Sequence, residues 1–410
     1  MNKIDELIQQ YCPEGVEYVP LHSIASQFSG MTGVSNKWAE SGNCLFIDYM
    51  NVYKNISVDV SALKNATVKS LRQNILQKGD ILFTSASETP DECALAAVIE
   101  KDIPENVFLD DHLFGLRLFD KRSNRPSYLK YAFHSNYFRT QVRKVVRGVT
   151  RNYVSKVDFM NLEIPLPPLP VQEAIVNILD RFAEYTAELQ AELQARQQQY
   201  NYYRDTLLSF EGRVDVQWKK LGEIEKCHCS GSTPTKSKKE YYDNGTIPWL
   251  RTQDVKFNEI TEVDSFITEL AVKETSVKWI PENCVIVAIS GATAGRCAIN
   301  KIKTTTNQHC LNIEIDDRKA LYKYVFYCVC NQYDELISLK QGARGDLNSS
   351  SILNVKIPVP SLSEQQRIVN ILDRFDRLIN DLSQGLPAEI EARQQQYEYY
   401  RDQLLTFKRM

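Results

Sequence analysis

The stretch IPLPPLPVQEAIVNILDRF at residues 164–182 decides the fold, because IPVPSLSEQQRIVNILDRF at 357–375 is a second copy of it. Thirteen of these nineteen positions are identical at a fixed offset of 193. Downstream, ARQQQYNYYRD at 195–205 returns as ARQQQYEYYRD at 392–402, ten of eleven identical at an offset of 197. The second copy thus carries four extra residues, within or near SQGLPAE at 383–389. Upstream the landmarks are fainter. Lys130, Tyr131 and Phe133 match Lys323, Tyr324 and Phe326, Arg151 matches Arg344, and Asn161 matches Asn354. Val16 and Leu21 correspond to Val216 and Leu221, Ser29-Gly30 to Ser230-Gly231, Gly79-Asp80-Ile81 to Glu282-Asn283-Cys284, and His112 to His309. A period near 195 residues is far longer than a solenoid unit, so this is a duplicated module. Each copy has a divergent part and a nearly identical part, which suggests one shared job and one that differs.

The shared part reads as long helices. The Pro-rich segment 165–170 cannot be helix interior, so the first helix follows it. Ile175, Ile178, Leu179, Phe182, Tyr185 and Leu189 recur at helical spacing. Leu193, Arg196, Tyr200, Tyr203 and Leu207 continue in steps of three and four, a coiled-coil-like seam. Unbroken, residues 171–210 would span on the order of 60 Å. The second copy has Ile368, Ile371, Leu372, Phe375, Leu378 and Leu382, then Ile390, Tyr397, Tyr400 and Leu404, with Gly385 and Pro387 expected to break or kink it. Helices this long need a partner for their apolar stripe, and each copy is the natural partner of the other. The divergent parts are mixed and strand-rich. DILFTS at 80–85 and CVIVAI at 284–289 read as strands, and 128–146 as an amphipathic helix carrying Arg139, Arg143 and Arg147 in one stripe.

Length and composition bound the rest. The chain has 410 residues, enough for two to four domains, with 43% hydrophobic and 25% charged residues, as in core-forming proteins. No apolar run approaches a membrane span, and MNKIDELIQQ at the N-terminus does not read as a signal peptide, so a cytoplasmic location is expected. The ten cysteines follow no regular framework and read as reduced, mostly buried thiols. The net charge of −3 is unevenly spread. From Lys121 to Lys156 there are ten Lys or Arg and no acid, whereas Asp254 to Glu274 holds six acids against Lys256 and Lys273. A basic patch on a slightly acidic chain suggests an anionic partner; a solvated helix face is the alternative, and ten basic residues without an acid are unusual for one.

Catalytic motifs are missing. GATAGR at 291–296 lacks the lysine and the spacing of a phosphate-binding loop, and no G-x-G-x-x-G occurs. There is no Asn-Pro-Pro-aromatic tetrapeptide of the kind amino-methyltransferases use to grip a target amine. Cys227-His228-Cys229, with Cys328 and Cys330 far away, is the nearest thing to a metal cluster. Alternate strand residues face opposite ways, however, and buried thiols explain these cysteines better than zinc. Asp317-Arg318-Lys319 fits a nuclease D-x-K fragment, a tripeptide common by chance. The chain reads as a recogniser without chemistry of its own, with no metal and no cofactor.

The paired segments I-P-x-P-x-L-x-x-Q-x-x-I-V-N-I-L-D-R-F and A-R-Q-Q-Q-Y-x-Y-Y-R-D resemble the two conserved regions of the specificity subunit of type I restriction–modification systems. The resemblance covers the whole chain. It implies an α+β architecture: two mixed α/β target-recognition domains separated by two long antiparallel coiled-coil-like helices, with an internal pseudo-two-fold repeat. The expected division is residues 1–165, recognition domain one; 166–213, helical region one; 214–357, recognition domain two; and 358–410, helical region two. The resemblance further implies that each recognition domain reads one half of a bipartite duplex DNA target. The helices would bind two modification subunits, which bring S-adenosylmethionine. Restriction subunits would bring ATP-driven translocation and cleavage with Mg. The insertion near Gly385 and Pro387 puts strict symmetry in doubt.

A duplicated module suits two DNA half-sites, and divergent halves suit an asymmetric sequence. Phosphate contacts are expected from Arg139, Arg143, Lys144, Arg147 and Arg151, and in the second domain from Lys236, Lys238, Lys239 and Arg344. Candidate base contacts are Ser85, Ser87, Thr89, Asn152 and Tyr153 in the first domain. In the second they are Arg251, Gln253, Ser290, Thr293, Asn348 and Ser349. Any one of these is as well explained as an ordinary polar turn residue. Two alternatives stay open: a self-contained DNA enzyme, which methyl transfer without partners would support, and a helical scaffold that binds no DNA.

Overall fold

The computed structural model describes residues 2–38, 40–122, 124–148, 150–340, 346–381 and 385–410. The chain forms two compact units, Met1–Gln190 with Glu389–Met410, and Ala191–Ala388. The division cuts each helical region in two. Each unit thus holds the first half of its own helical region and the last half of the other's.

The duplicated Pro-rich motif is the joint between sheet and helix in both units. Ile164 and Ile357 are fully buried in two-stranded antiparallel ribbons. Glu163–Pro165 pairs with Tyr18–Pro20, and Lys356–Val359 with Gln217–Lys220, so that Tyr18 faces Pro165 and Trp218 faces Pro358. Leu21 N donates to Leu162 O at 2.9 Å, and Leu221 N to Val355 O at 3.0 Å. These ribbons place Val16 and Leu21 in register with Val216 and Leu221, as the sequence expects. Next comes a buried glutamine. The Gln172 amide donates to Pro167 O at 2.8 Å and accepts from Arg125 N at 3.2 Å. Gln365 does the same with Pro360 O at 2.9 Å and Leu321 N at 2.8 Å. A buried amide must find partners, and here it finds a backbone carbonyl and a backbone N–H in each copy.

Tyrosines complete the joint. Tyr128 and Tyr324 donate to Pro165 O and Pro358 O, each at 2.9 Å. Tyr131 and Tyr327 donate to Asp180 at 2.5 Å and to Asp373 at 2.6 Å. The true offset of these tyrosines is therefore 196, not 193: Tyr324 is the counterpart of Tyr128, and Tyr327 of Tyr131. A slip of three residues keeps a helical side chain on nearly the same face, which is why one tyrosine could be mistaken for the other. The lysines do act alike at 193. Lys130 reaches Glu100 and Asp180, and Lys323 reaches Glu259 and Asp373.

Pro170 lies in the first turn of the 41-residue helix Leu169–Ser209, where a missing N–H costs nothing. In the second copy the helix is interrupted, as expected, giving Leu362–Asn380 and Leu386–Leu404. Leu382 lies outside the described residues. In the first unit Phe182 stacks on Tyr400 with centroids 5.5 Å apart, and Arg393 lies over the Tyr185 ring. These contacts run antiparallel. In the second unit Phe375 stacks on Tyr203 at 5.4 Å. Phe182 repeats as Phe375 and Tyr203 as Tyr400, so one contact is made twice with the roles exchanged.

Each unit carries two main sheets. In the first, the strands Ala25–Ser29, Leu113–Leu118, Ile81–Thr84 and Ala96–Val98 form an antiparallel sheet in that order. A second sheet orders Val34–Lys37, Lys64–Val68, Cys44–Ile47 and Val107–Leu109, its last pair parallel. The second unit repeats the first sheet as Glu225–Ser230, Cys310–Ile315, Val285–Ala288 and Cys297–Asn300, with Glu259–Ile260 added at the edge. Its other sheet orders Phe266–Ile267, Ile247–Leu250, Thr304–Thr306 and Trp279–Ile280. Gly79 has its counterpart in Asn283 rather than Glu282. Both have positive φ, and their N–H groups donate to Ile99 O and Asn300 O at 2.7 Å. Gly30 and Gly231 are true counterparts, since a Cβ on either would come within 2.0 Å of a facing carbonyl oxygen. Residues 128–146 are two helices, Pro126–Ala132 and Asn136–Val145, because Ser135 caps the second. Among the described residues no helix is long and apolar enough to cross a membrane.

Candidate nucleic-acid interface

Four of the ten basic residues in the window make ion pairs within the first unit. Arg125 pairs with Glu173, Lys130 with Glu100 and Asp180, Arg143 with Asp91, and Arg147 with Asp158 at 2.8 Å. These carboxylates come from outside the window, so a stretch free of acid in sequence is not free of acid in space. Lys121, Arg139 and Lys156 instead bond to Lys78 O, to backbone carbonyls and to the Ser29 hydroxyl, so that among the described residues Arg122, Lys144 and Arg151 have neither an ion pair nor a side-chain hydrogen bond.

The expected arginine stripe does not form. The helix ends at Val145, and Arg147 lies in the strand Val146–Arg147. Arg139 is buried at 9% exposure, and its guanidinium donates to Ala94 O at 2.8 Å, Asp91 O at 2.8 Å and Cys93 O at 2.7 Å. Burial pulls its pKa down to about 10, still well above neutrality. Arg139 therefore pins a turn and is not placed to meet phosphate.

That turn, Pro90–Glu92, is held from several sides by the residues singled out in sequence. Asn152, also buried, donates to Glu88 O at 2.8 Å. Ser87 and Tyr53 donate to Glu92 at 2.6 and 2.7 Å and hold its carboxyl below the usual range. Ser85 donates to His112 O at 2.5 Å. The strand Asn152–Val154 brings Asn152 opposite Ser87. Thr89 and Tyr153 are left exposed beside this frame. A fixed loop with an exposed polar tip can present hydrogen-bonding groups without first paying to order them.

In the second unit the matching turn is Gly291–Thr293, preceded by Ser290. Leu347 N donates to Ile289 O at 2.7 Å, which brings Asn348 and Ser349 beside it. Asn348 caps the helix Ser349–Leu353 by accepting from Ser350 N at 2.8 Å. Arg344 lies outside the described residues. Lys238 is spent on Glu274 at 2.5 Å and on Tyr241, so it is not a free cation. Lys236, Lys239 and Arg251 instead line one cleft of ≈ 730 Å³, together with Trp249, Asn307, Gln308 and His309. Arg251 Nε is buried there without a protein hydrogen-bond partner among the described residues. Gln253 is exposed in the neighbouring turn Thr252–Asp254. Sequence reasoning missed the turn 307–309, although His309 was already a landmark of the repeat.

No cysteine–histidine cluster assembles among the described residues. His228 bonds to Glu225 at 2.9 Å and Cys227 lies beside Glu314. Cys328 is buried, and Cys330 lies 3.1 Å from Cys297. Burial pushes the Cys284 thiol up to about 12 and raises those of Cys12, Cys44 and Cys93, which leaves them unreactive. Asp110, Asp111 and His112 do gather, but Lys37 sits 3.0 Å from Asp110 and 2.5 Å from Asp111. In the D-x-K fragment Lys319 turns to Glu223 O at 2.9 Å.

The family model of the type I restriction modification DNA specificity domain matches residues 13–196 and again residues 213–392. The chain belongs to that specificity family. Its two matches fall on the two repeats, so it carries two specificity domains. The chain is 38% identical over 305 residues to the EcoR124I/EcoR124II specificity subunit of Escherichia coli, covering 72% of this chain and 74% of that one. It is 31% identical over 312 residues to a putative type I restriction enzyme specificity subunit of Haemophilus influenzae, covering 73% and 76%. Specificity subunits of this family recognise DNA and are not themselves the catalytic component. Among solved structures, the type I specificity subunit from M. genitalium is similar with a TM-score of 0.56 at 14% identity, over 95% of this chain and 96% of that one. A chain from a structure of type I restriction–modification complex assembly gives 0.68 at 16% identity, over 96% and 98%. Both share the fold.

Proposed function

We propose that this specificity subunit reads a bipartite duplex DNA target, each unit reading one half, and that its helices dock two modification subunits. The observation that carries this reading is the duplication itself. The hydrogen bonds of the joint from Pro165 to Phe182 are repeated from Pro358 to Phe375, while the turns that could face DNA differ. Identical joints suit identical partner subunits; different turns suit different half-sites. The recognition domains are residues 1–165 and 214–357, and the helical regions are 166–213 and 358–410. The chain needs no cofactor of its own. The modification subunits would supply S-adenosylmethionine, and restriction subunits ATP and Mg, in the cytoplasm.

Phosphate contacts in the first unit are assigned to Lys144 and Arg151, with Arg143 and Arg147 available if they exchange their carboxylates for phosphate. Thr89 and Tyr153, the exposed members of the candidate set, lead the base contacts there. In the second unit Lys236 and Lys239 take phosphate, while Gln253, Ser290, Thr293, Asn348 and Ser349 surround the bases. The test is a graft. Residues 215–355 are replaced by those of a relative, the chimera is expressed with its modification partner, and methylated bases are mapped across the genome. One half of the motif should change and the other stay. A change in both halves at once would sink independent reading.

A further inference from the structure

The turn Asn307-Gln308-His309 and the turn Asp110-Asp111-His112 occupy the same place in the two units. Asn307 N donates to Leu250 O at 3.0 Å, and Asp110 N to Ile47 O at 3.1 Å. Within each turn the first side chain accepts from the histidine N–H, at 3.1 Å in the second unit and 2.8 Å in the first. One backbone frame thus carries two amides in one unit and two carboxylates in the other. In the first unit Lys37 already neutralises the acidic pair. In the second, Gln308 and His309 are exposed at the wall of the ≈ 730 Å³ cleft.

The cleft is built for a ligand with both charge and a flat polar edge. Lys236 and Lys239 stand on it with no carboxylate partner among the described residues, and Arg251 Nε is buried and unpaired. The two lysines call for phosphate, and the Arg251 guanidinium for an acceptor edge, while Asp243 and Asp264 put carboxylates on the same wall. A phosphate alone would not use the rest of the wall, where the Trp249 ring is fixed by a bond from Nε1 to Ser232 O at 3.1 Å and Asp264 adds an acceptor. The Gln308 amide oxygen accepts from the Thr233 hydroxyl, and its amide nitrogen lies 3.1 Å from His309 Nε2. The side chain is therefore oriented before anything binds. Glutamine and arginine are the side chains that pair bidentately with adenine and guanine edges in the major groove.

We propose that this cleft seats the second DNA half-site, with Gln308 and Arg251 reading base edges and Lys236 and Lys239 holding the flanking phosphates. The proposal rests on the DNA-reading function above. It adds Gln308, and it locates the determinant at a position where the two units differ by amide against carboxylate.

The test uses the full chain with its modification partner in a host whose methylated bases are mapped. Gln308→Ala removes an exposed side chain, so the fold is retained. Discrimination at one base pair of one half-motif should fall by roughly ten- to a hundredfold, with the other half untouched. Arg251→Ala should relax another base pair of the same half. The double variant Lys236→Ala with Lys239→Ala should keep the motif, weaken binding to every sequence, and make log K against log salt shallower by about 0.9 per lost contact. An unchanged motif in Gln308→Ala, or relaxation in the half that follows the first unit, overturns the proposal. If the unaltered complex methylates no bipartite motif, the functional reading itself fails and this inference falls with it.

Discussion

Arg139 shows how a basic residue can be spent inside the fold rather than on its surface. Its three bonds to the carbonyls of Asp91, Cys93 and Ala94 hold the turn that carries the exposed polar tip. Bonds from a charged donor are each worth about 1.5–3 kcal/mol. Arg139→Ala should therefore cost the first unit about 2–4 kcal/mol in denaturant unfolding. The slope of log K against log salt should stay as it was. Arg151→Ala should do the reverse, with stability unchanged within about 0.5 kcal/mol and a slope shallower by about 0.9. If the Arg139 variant flattens the salt dependence, the arginine meets phosphate after all. His134 supplies a pH test in the same unit. Its Nε2 lies 2.8 Å from Ala96 O, and removal from water, aided by Arg139 and Arg401, brings its pKa down to about 4. The folded unit holds the ring neutral while the unfolded chain protonates near 6.5. Stability is then full above about pH 6.5 and declines as the pH falls towards 4, by at most about 3 kcal/mol. A His134→Gln variant should lose that part of the decline, as read from unfolding midpoints across the pH range.

At the scale of elements, the joint explains why the repeat is so legible in sequence. Gln172 and Gln365 are 1% and 0% exposed, and the bonds described above tie both side chains to backbone positions fixed by the fold. Side chains that answer to backbone geometry cannot vary freely, so the two copies agree there. Gln365→Ala would leave Leu321 N and Pro360 O unpaired and should lower the second unit's stability by about 2–4 kcal/mol, a loss that thermal unfolding would report. A neutral outcome would mean that water replaces the amide. Where the constraint is looser, the sequence misleads by small steps. The tyrosines slip by one helical turn and Gly79 by one residue, because either register satisfies the same face or the same turn. The basic window misleads for a different reason. Asp91, Glu100, Asp158 and Glu173 reach it from other elements, and no property of residues 121–156 reports them. The cleft was half visible: Lys236, Lys239 and Arg251 could be picked by charge, but Gln308 had no signal beyond its neighbour His309.

At the scale of the whole molecule, the chain's two compact units do not follow chain order. Residues 389–410 belong with the first unit, although the second unit lies between them in sequence. The contacts are specific. Val16 pairs with Arg409, Val16 N donates to Lys408 O at 2.8 Å, Tyr18 donates to Phe407 O at 2.9 Å, and Arg409 pairs with Glu163 at 2.9 Å. Leu404 and Leu405 are buried in the same core as Phe83 and Phe138. The unit that reads the first half-site is therefore completed only by the last residues of the chain. Deleting residues 389–410 should expose that core, a loss of several kcal/mol, because it takes away two buried leucines and the rings of Tyr397, Tyr400 and Phe407 that cover it. The second unit keeps its own seam, Tyr200 and Tyr203 against Phe375. Hydrogen exchange resolves the two cases. Peptides from 80–160 should lose protection in the truncated chain while those from 285–340 keep it. Equal loss in both would show that the units fold as one cooperative body, and no loss in the first would show that its core closes without the C-terminal segment.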